Sequence, residues 1–140
     1  MRFRRQRLKR LLVSFTPNEI QYPERASEFE IQAELYQAIK SAGFDVRGEV
    51  RASCMDFGNQ HLVRIDLVVF RDCKAVALVE CKRDANEMEG LDTGTRQGRR
   101  YSRFGLPVIV CGSLEQIPFA VQEVEECLTS LAVLAGKRGF

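Results

Sequence analysis

Three charged residues interrupt the ends of two apolar runs in the middle of the chain. Asp66 lies in the run 64–70, whereas Glu80 and Lys82 end the run 74–82. Both runs are rich in β-branched residues, and the polar break between them predicts a hairpin of two strands. A turn centred on Cys73 gives the following cross-strand pairs: Asp66 with Glu80, Val68 with Leu78, and Phe70 with Val76.

Two carboxylates directly opposite one another on neighbouring strands lie about 5 Å apart at Cβ and repel unless a cation lies between them. Oxygen ligands without a nearby His or Cys cluster favour Mg²⁺, for which Mn²⁺ can substitute. Lys82 shares the face of Glu80, because side chains alternate along a strand. Its ammonium could orient or deprotonate a water, or stabilise charge on a phosphate. The three residues therefore predict metal-assisted phosphodiester hydrolysis, with Asp66 and Glu80 as metal ligands; the alternative is ordinary charged residues at strand ends.

A helix before these strands carries further acids. Ser27 is a suitable N-cap with Glu30 three residues later, and Gly43 ends the apolar periodicity. Glu28 falls near the middle of the apolar face, whereas Glu34 lies at its border. Glu28 is either a partner of the helix dipole or a contributor to the site, and Glu34 is the fallback for that second role.

The other elements follow in order. Alternation predicts a strand from 44 to 52, followed by a loop at 53–59. A helix at 95–104 carries Gln97 and Tyr101 one turn apart, which suits contact with phosphates and a stacked base; the alternative is a surface helix with a half-buried tyrosine. The predicted DNA contacts on this helix are Gln97, Arg99, Arg100, Tyr101 and Arg103. An apolar strand at 106–112 and a helix at 116–135 complete the chain.

Composition sets the bounds on the protein class. The 140 residues are 45% hydrophobic and 29% charged, which indicates one globular domain. No apolar run reaches the roughly 20 residues of a membrane helix, and we expect a cytoplasmic protein without membrane contact. The first ten residues contain six basic residues and no acid. We therefore expect a basic N-terminal arm at 1–22, with Arg4 and Arg5 as DNA contacts, followed by one domain at 23–140. The alternative for the arm is a solvated or partly helical tail without a ligand.

The order helix, strand, strand, strand, helix, strand, with Asp66 and Glu80-x-Lys82 on the second and third strands, resembles the PD-(D/E)XK nuclease superfamily. The likeness covers roughly residues 27–112 and is greatest to the N-terminal nuclease domain of type I restriction endonuclease subunits. Gln97-x-x-x-Tyr101 matches the RecB-like branch, and Glu28-x-x-Ile31-Gln32 is similar to the first helix of virus-type replication and repair nucleases. Ile65 stands where the superfamily name has Pro.

The resemblance implies an α/β fold with a mixed sheet and a restriction-endonuclease-like core, followed by a C-terminal helix. It also implies a Mg²⁺-dependent deoxyribonuclease with Glu28, Asp66, Glu80 and Lys82 as catalytic residues. The chain has no room for the motor of a restriction subunit, so we expect a stand-alone enzyme or a subunit of a restriction, repair or recombination system. Two alternatives stay open, a binding module that keeps the fold without turnover and a small subunit that dimerises or docks on a larger protein.

Overall fold

The computed structural model describes residues 18–82 and 96–137, without the side chains of 96, 97, 99 and 132–137. Its elements come in the predicted order. They are α1 (Glu28–Ser41), β1 (Asp45–Asp56), β2 (Asn59–Arg71), β3 (Lys74–Cys81), α2 (Arg96–Ser102), β4 (Val108–Cys111), a 3₁₀ turn (Leu114–Gln116) and α3 (Ile117–Lys137). None of the helices among these residues is long and apolar enough to cross a membrane.

The four strands form one mixed sheet in the order β1, β2, β3, β4. The first three are antiparallel, and β4 runs parallel to β3. The α/β fold with a mixed sheet is therefore confirmed. A parallel neighbour requires a crossover between β3 and β4, and α2 lies in that connection.

The sheet separates two apolar layers. The larger core packs α1 and α3 on one face through Leu35, Val79, Ile109 and Val124. The smaller one, on the other face, gathers Ile65, Val68 and Leu78 beneath Tyr101 of α2. Helix α2 is thus placed directly over the strands that carry the acids.

Helix α1 begins and ends as its sequence predicts. The Ser27 hydroxyl accepts the N–H of Glu30 at 3.1 Å, which satisfies one of the free donors of the first turn. The apolar periodicity buries Ile31, Leu35 and Ile39. Gly43 adopts a φ of 96° just beyond the helix, where glycine carries no Cβ penalty.

The β2–β3 hairpin has the predicted register at Val68–Leu78, but its turn differs. Asp72 and Cys73 alone form the turn, both with positive φ, so that Arg71 pairs with Lys74. A bulge between Val69 and Phe70 then shifts the register by one residue. The predicted Phe70–Val76 pair is therefore wrong, because Phe70 faces Ala75; beyond the bulge the predicted pairing is recovered.

The prediction of a loop at 53–59 is also wrong. Strand β1 continues to Asp56 and pairs with β2 as far as Asn59. The turn consists of Phe57 and Gly58, with φ values of 50° and 77°, the geometry of a two-residue hairpin turn. Alternation continues through Cys54 and Asp56, whose side chains are buried.

Candidate active site

Asp66 and Glu80 meet where β2 and β3 separate, one residue beyond the Leu67–Val79 pair. The Asp66 carboxylate accepts the Cys81 N–H at 2.8 Å, and the Glu80 carboxylate accepts the Asp66 N–H at 3.2 Å. Each acid therefore binds the backbone of the opposite strand. The two carboxyl groups also interact directly, since the charge of Asp66 helps to raise the pKa of Glu80.

Glu80 is deeply buried for an acid, with a relative exposure of 2%. Burial raises its pKa first and the nearby Asp66 charge second, to about 7. The Tyr101 hydroxyl donates to Glu80 Oε1 at 2.7 Å and partly opposes this rise. The site thus holds an acid pair in which full ionisation of both members is costly.

Tyr101 occupies a position different from the one expected of a stacking residue. Its ring is 3% exposed within the smaller core, and its hydroxyl contacts Glu80 and, at 3.4 Å, the Arg64 carbonyl. A base can stack only on an exposed ring. In this structure Tyr101 instead positions the Glu80 carboxylate, a role that the sequence prediction did not include.

The Asp66 backbone is also held from the α1 side, by a contact that the sequence analysis missed. The Gln32 amide donates to the Asp66 carbonyl at 3.2 Å and to the Glu49 carboxylate at 2.9 Å. Glu49 has a φ of 54°, unusual for a residue with a Cβ, and also pairs with Arg64 at 3.0 Å. The signal that could have identified Gln32 was its place one turn after Glu28 on α1.

Glu28 lies on the side of β3 that faces α1. It is half-buried at the start of α1 and is one of the charges that raise the pKa of the Cys81 thiol, for which burial is the main cause. Among the residues that the structure describes, no three His, Cys, Asp or Glu side chains are grouped to hold a metal. Glu28 therefore does not complete a three-acid cluster with Asp66 and Glu80. Glu34, the fallback, is exposed on α1.

Lys82 follows β3 directly. Its N–H donates to the Cys111 carbonyl at 3.1 Å, which extends the parallel pairing with β4 by one residue. The side chain is partly buried and forms no ion pair with a described residue. Its ammonium is therefore not committed to a structural partner within the described parts of the chain.

Arg100 and Arg103 point into an ion-pair cluster at the tip of the β1–β2 hairpin. Asp56, 2% exposed, lies 3.6 Å from Arg100 Nε and 3.9 Å from Arg103 Nη2. Arg100 Nη2 also donates to His61 Nδ1 at 3.0 Å. These contacts attach α2 to the hairpin, and they hold the largely buried Arg100 side chain away from solvent.

Four predicted DNA contacts lie outside what the structure describes. Arg4 and Arg5 belong to residues 1–17, which are not described, and the side chains of Gln97 and Arg99 are not described either. Their roles stay predictions.

Comparisons with known proteins add no assignment to this geometry. No family model matches the chain, and no curated protein or solved structure matches it.

Proposed function

We propose that the protein is a divalent-metal-dependent deoxyribonuclease with a restriction-endonuclease-like core. The observation that carries the proposal is the contact between Asp66 and Glu80, two acids from neighbouring strands at a point where the sheet opens. Burial and the Asp66 charge raise the pKa of Glu80 to about 7, and carboxyl groups perturbed in this way cluster at functional sites.

The donor set suits Mg²⁺ or Mn²⁺. Magnesium sites commonly use one or two carboxylates, with waters and substrate phosphates as the other ligands, so two acids are sufficient. Asp66 and Glu80 would hold the ion, and its charge would offset the repulsion within the pair. A bound ion supplies a Lewis acid for the phosphate and lowers the pKa of a water.

The chain's own groups have separable roles in this proposal. Tyr101 fixes one oxygen of Glu80 through a 2.7 Å hydrogen bond, and Gln32 fixes the backbone of Asp66. Lys82 lies two residues after Glu80 with an uncommitted ammonium, which would orient the attacking water or stabilise charge on the phosphate. Glu28 would act from the α1 side as an outer acid.

The test is plasmid nicking in Mg²⁺ or Mn²⁺ by wild type, Asp66→Asn and Lys82→Met. Asn can still accept the Cys81 N–H, so the fold is preserved while a ligand charge is removed. We expect losses of at least about a hundredfold, since a metal ion contributes several kcal/mol to such reactions. Glu34→Gln, an exposed acid on α1, is the matched control and should cleave like wild type. Equal cleavage by wild type and Asp66→Asn would refute the proposal.

A second candidate is a DNA-binding module that keeps this fold without turnover. It is favoured by the 2% exposure of Glu80, which restricts the access of an ion to that carboxylate. Binding of DNA by wild type without nicking in either metal would support this candidate.

A further inference from the structure

The β1–β2 hairpin extends well beyond the rest of the sheet. Pairing between β2 and β3 ends at Leu67, whereas pairing between β1 and β2 continues to Asp56–Asn59. Residues 50–65 therefore form a two-stranded hairpin extension that begins next to Asp66. At about 3.3 Å per residue, it reaches roughly 20 Å past the acid pair.

The hairpin extension has one covered face and one open face. Its inner face packs against α2 through Val50, Ala52, Val63 and Ile65. The opposite, outer face consists of exposed residues at alternate positions, and Gln60 donates to Ser53 across it at 2.5 Å. The residues of the outer face are Arg51, Ser53, Met55, Gln60, Leu62 and Arg64.

The charges on the outer face all have one sign. Arg51 and Arg64 are direct cross-strand partners, and like charges in this position destabilise a strand pair. Glu49 pairs with Arg64 through Nε, but Arg51 forms no ion pair with a described residue. Arg51 and Arg64 together thus carry two positive charges, of which Glu49 neutralises one.

We propose that the outer face of the hairpin extension binds duplex DNA, with Arg51 and Arg64 on backbone phosphates beside the acid pair. This inference rests on the proposed function and names the surface that delivers its substrate. Arg64 is 69% exposed at its side chain and lies two residues, about 7 Å along the strand, before Asp66. A phosphate contact at Arg64 therefore lies close along β2 to one of the two acids.

The shape and composition of the surface support the same partner. A two-stranded β-ribbon fits the major groove of B-form DNA. Ser53 and Gln60 supply neutral hydrogen-bonding groups, and Leu62, 78% exposed, supplies apolar contact to sugars or bases. A symmetric second copy is a poorer occupant, because it would bring two further arginines to the same surface.

The arginines of the hairpin extension add to the DNA contacts that the sequence predicts on α2. Arg100 of α2 is largely buried against Asp56, and Arg103, which is about half-exposed, lies 3.9 Å from the same carboxylate. Arg64 is exposed but pairs with Glu49, and Arg51 is exposed without an ion pair to a described residue. Arg64, two residues before Asp66, is not among the DNA contacts predicted from the sequence.

The test measures fluorescence anisotropy of a labelled duplex in EDTA, so that binding is separated from cleavage. The variants are Arg51→Gln, alone and combined with Arg64→Gln, the single change leaving the Glu49 pair intact. The matched control is Arg47→Gln with Arg71→Gln, which removes two exposed arginines from the same strands at the opposite end. Thermal unfolding verifies that all variants are folded.

We expect the Arg51→Gln and Arg64→Gln double variant to bind about tenfold or more weakly. For this variant, the slope of log K against log salt concentration should be smaller in magnitude by about 1.8, because each arginine neutralises one phosphate and contributes about 0.9. The single Arg51→Gln change should reduce the salt slope by about half as much, and the control double variant should bind DNA like wild type.

Equal losses in the test and control pairs would overturn this inference, as would binding to RNA alone or no binding to duplex DNA. Weaker binding confined to the test pair, without nicking by wild type, would support the DNA surface and refute the nuclease. Nicking that is unaffected by loss of both arginines would refute the surface and leave the nuclease standing.

Discussion

The cost of ionising Glu80 leads to a prediction about stability that needs no substrate. Glu80→Gln retains an oxygen that can accept from Asp66 N–H and from Tyr101. It also replaces a carboxylate oxygen by an amide that can donate to the Asp66 carboxylate. We therefore expect this substitution at a proposed metal ligand to stabilise the metal-free protein at alkaline pH.

The sign and size of this difference in stability follow from the pKa of Glu80, which burial and the Asp66 charge raise from 4.5 to about 7. The folded state holds the Glu80 proton more tightly than the unfolded state. The protonated Glu80 carboxyl therefore makes its complete contribution to the free energy of unfolding below pH 4.5, and this contribution is lost as the pH rises through 7. At 1.36 kcal/mol per pKa unit, wild type should lose about 2.5 kcal/mol relative to Glu80→Gln between pH 5 and pH 8.

The assay is urea unfolding of wild type and Glu80→Gln in EDTA at both pH values. Other titrating groups are common to the two proteins, so the difference between their free energies of unfolding isolates Glu80. A difference of this size corresponds to roughly 10 °C in Tm for a domain of this length. Glu34→Gln, which changes an exposed acid on α1, is measured alongside as the matched control.

Added Mg²⁺ should reverse the order at pH 8. A ligand at a thousand times its Kd stabilises the folded state by about 4.1 kcal/mol, which exceeds the roughly 3.3 kcal/mol that ionisation of Glu80 costs wild type at pH 8, and only wild type has both carboxylates. If wild type and Glu80→Gln unfold alike at pH 8 in EDTA, the acid pair is not under electrostatic strain and this reasoning is refuted.

Three further predictions concern the surroundings of the site. Tyr101→Phe removes a hydrogen bond that lowers the pKa of Glu80; the pH profile of nicking should move to higher pH, and an unchanged profile would contradict the role of the hydroxyl. Asp56→Asn leaves the largely buried Arg100 without its counter-charge and should cost about 3 kcal/mol in urea unfolding; a loss below 1 kcal/mol would show that the cluster does not hold α2. Cys73→Gly relieves a positive φ in the β2–β3 turn and should stabilise by about 1 kcal/mol without affecting DNA nicking; destabilisation would show that this turn tolerates its native cysteine without strain.

The sequence by itself determined the order of the helices and strands, and also the position along the β2–β3 hairpin at which Asp66 and Glu80 lie opposite one another. Alternation and β-branched runs specify which residues pair across the hairpin, because a one-residue slip would expose the buried set. For that reason the Val68–Leu78 pairing was predictable although the predicted turn was wrong. The bulge at Val69 and Phe70 compensates for the shorter turn and preserves the alignment of Asp66 and Glu80.

The tertiary structure alone decided which charged and aromatic groups face the site and which are held elsewhere. Periodicity shows that Tyr101 and Arg100 lie on one helix, but not which surface that helix covers. Packing of α2 on β2 and β3 buries Tyr101 against Glu80 and directs Arg100 to Asp56. Gln32 and Arg51 acquire their proposed roles in the same way, since both depend on contacts between segments far apart in the chain. Local sequence patterns encode local geometry, whereas burial and long-range pairing determine the electrostatics of the site.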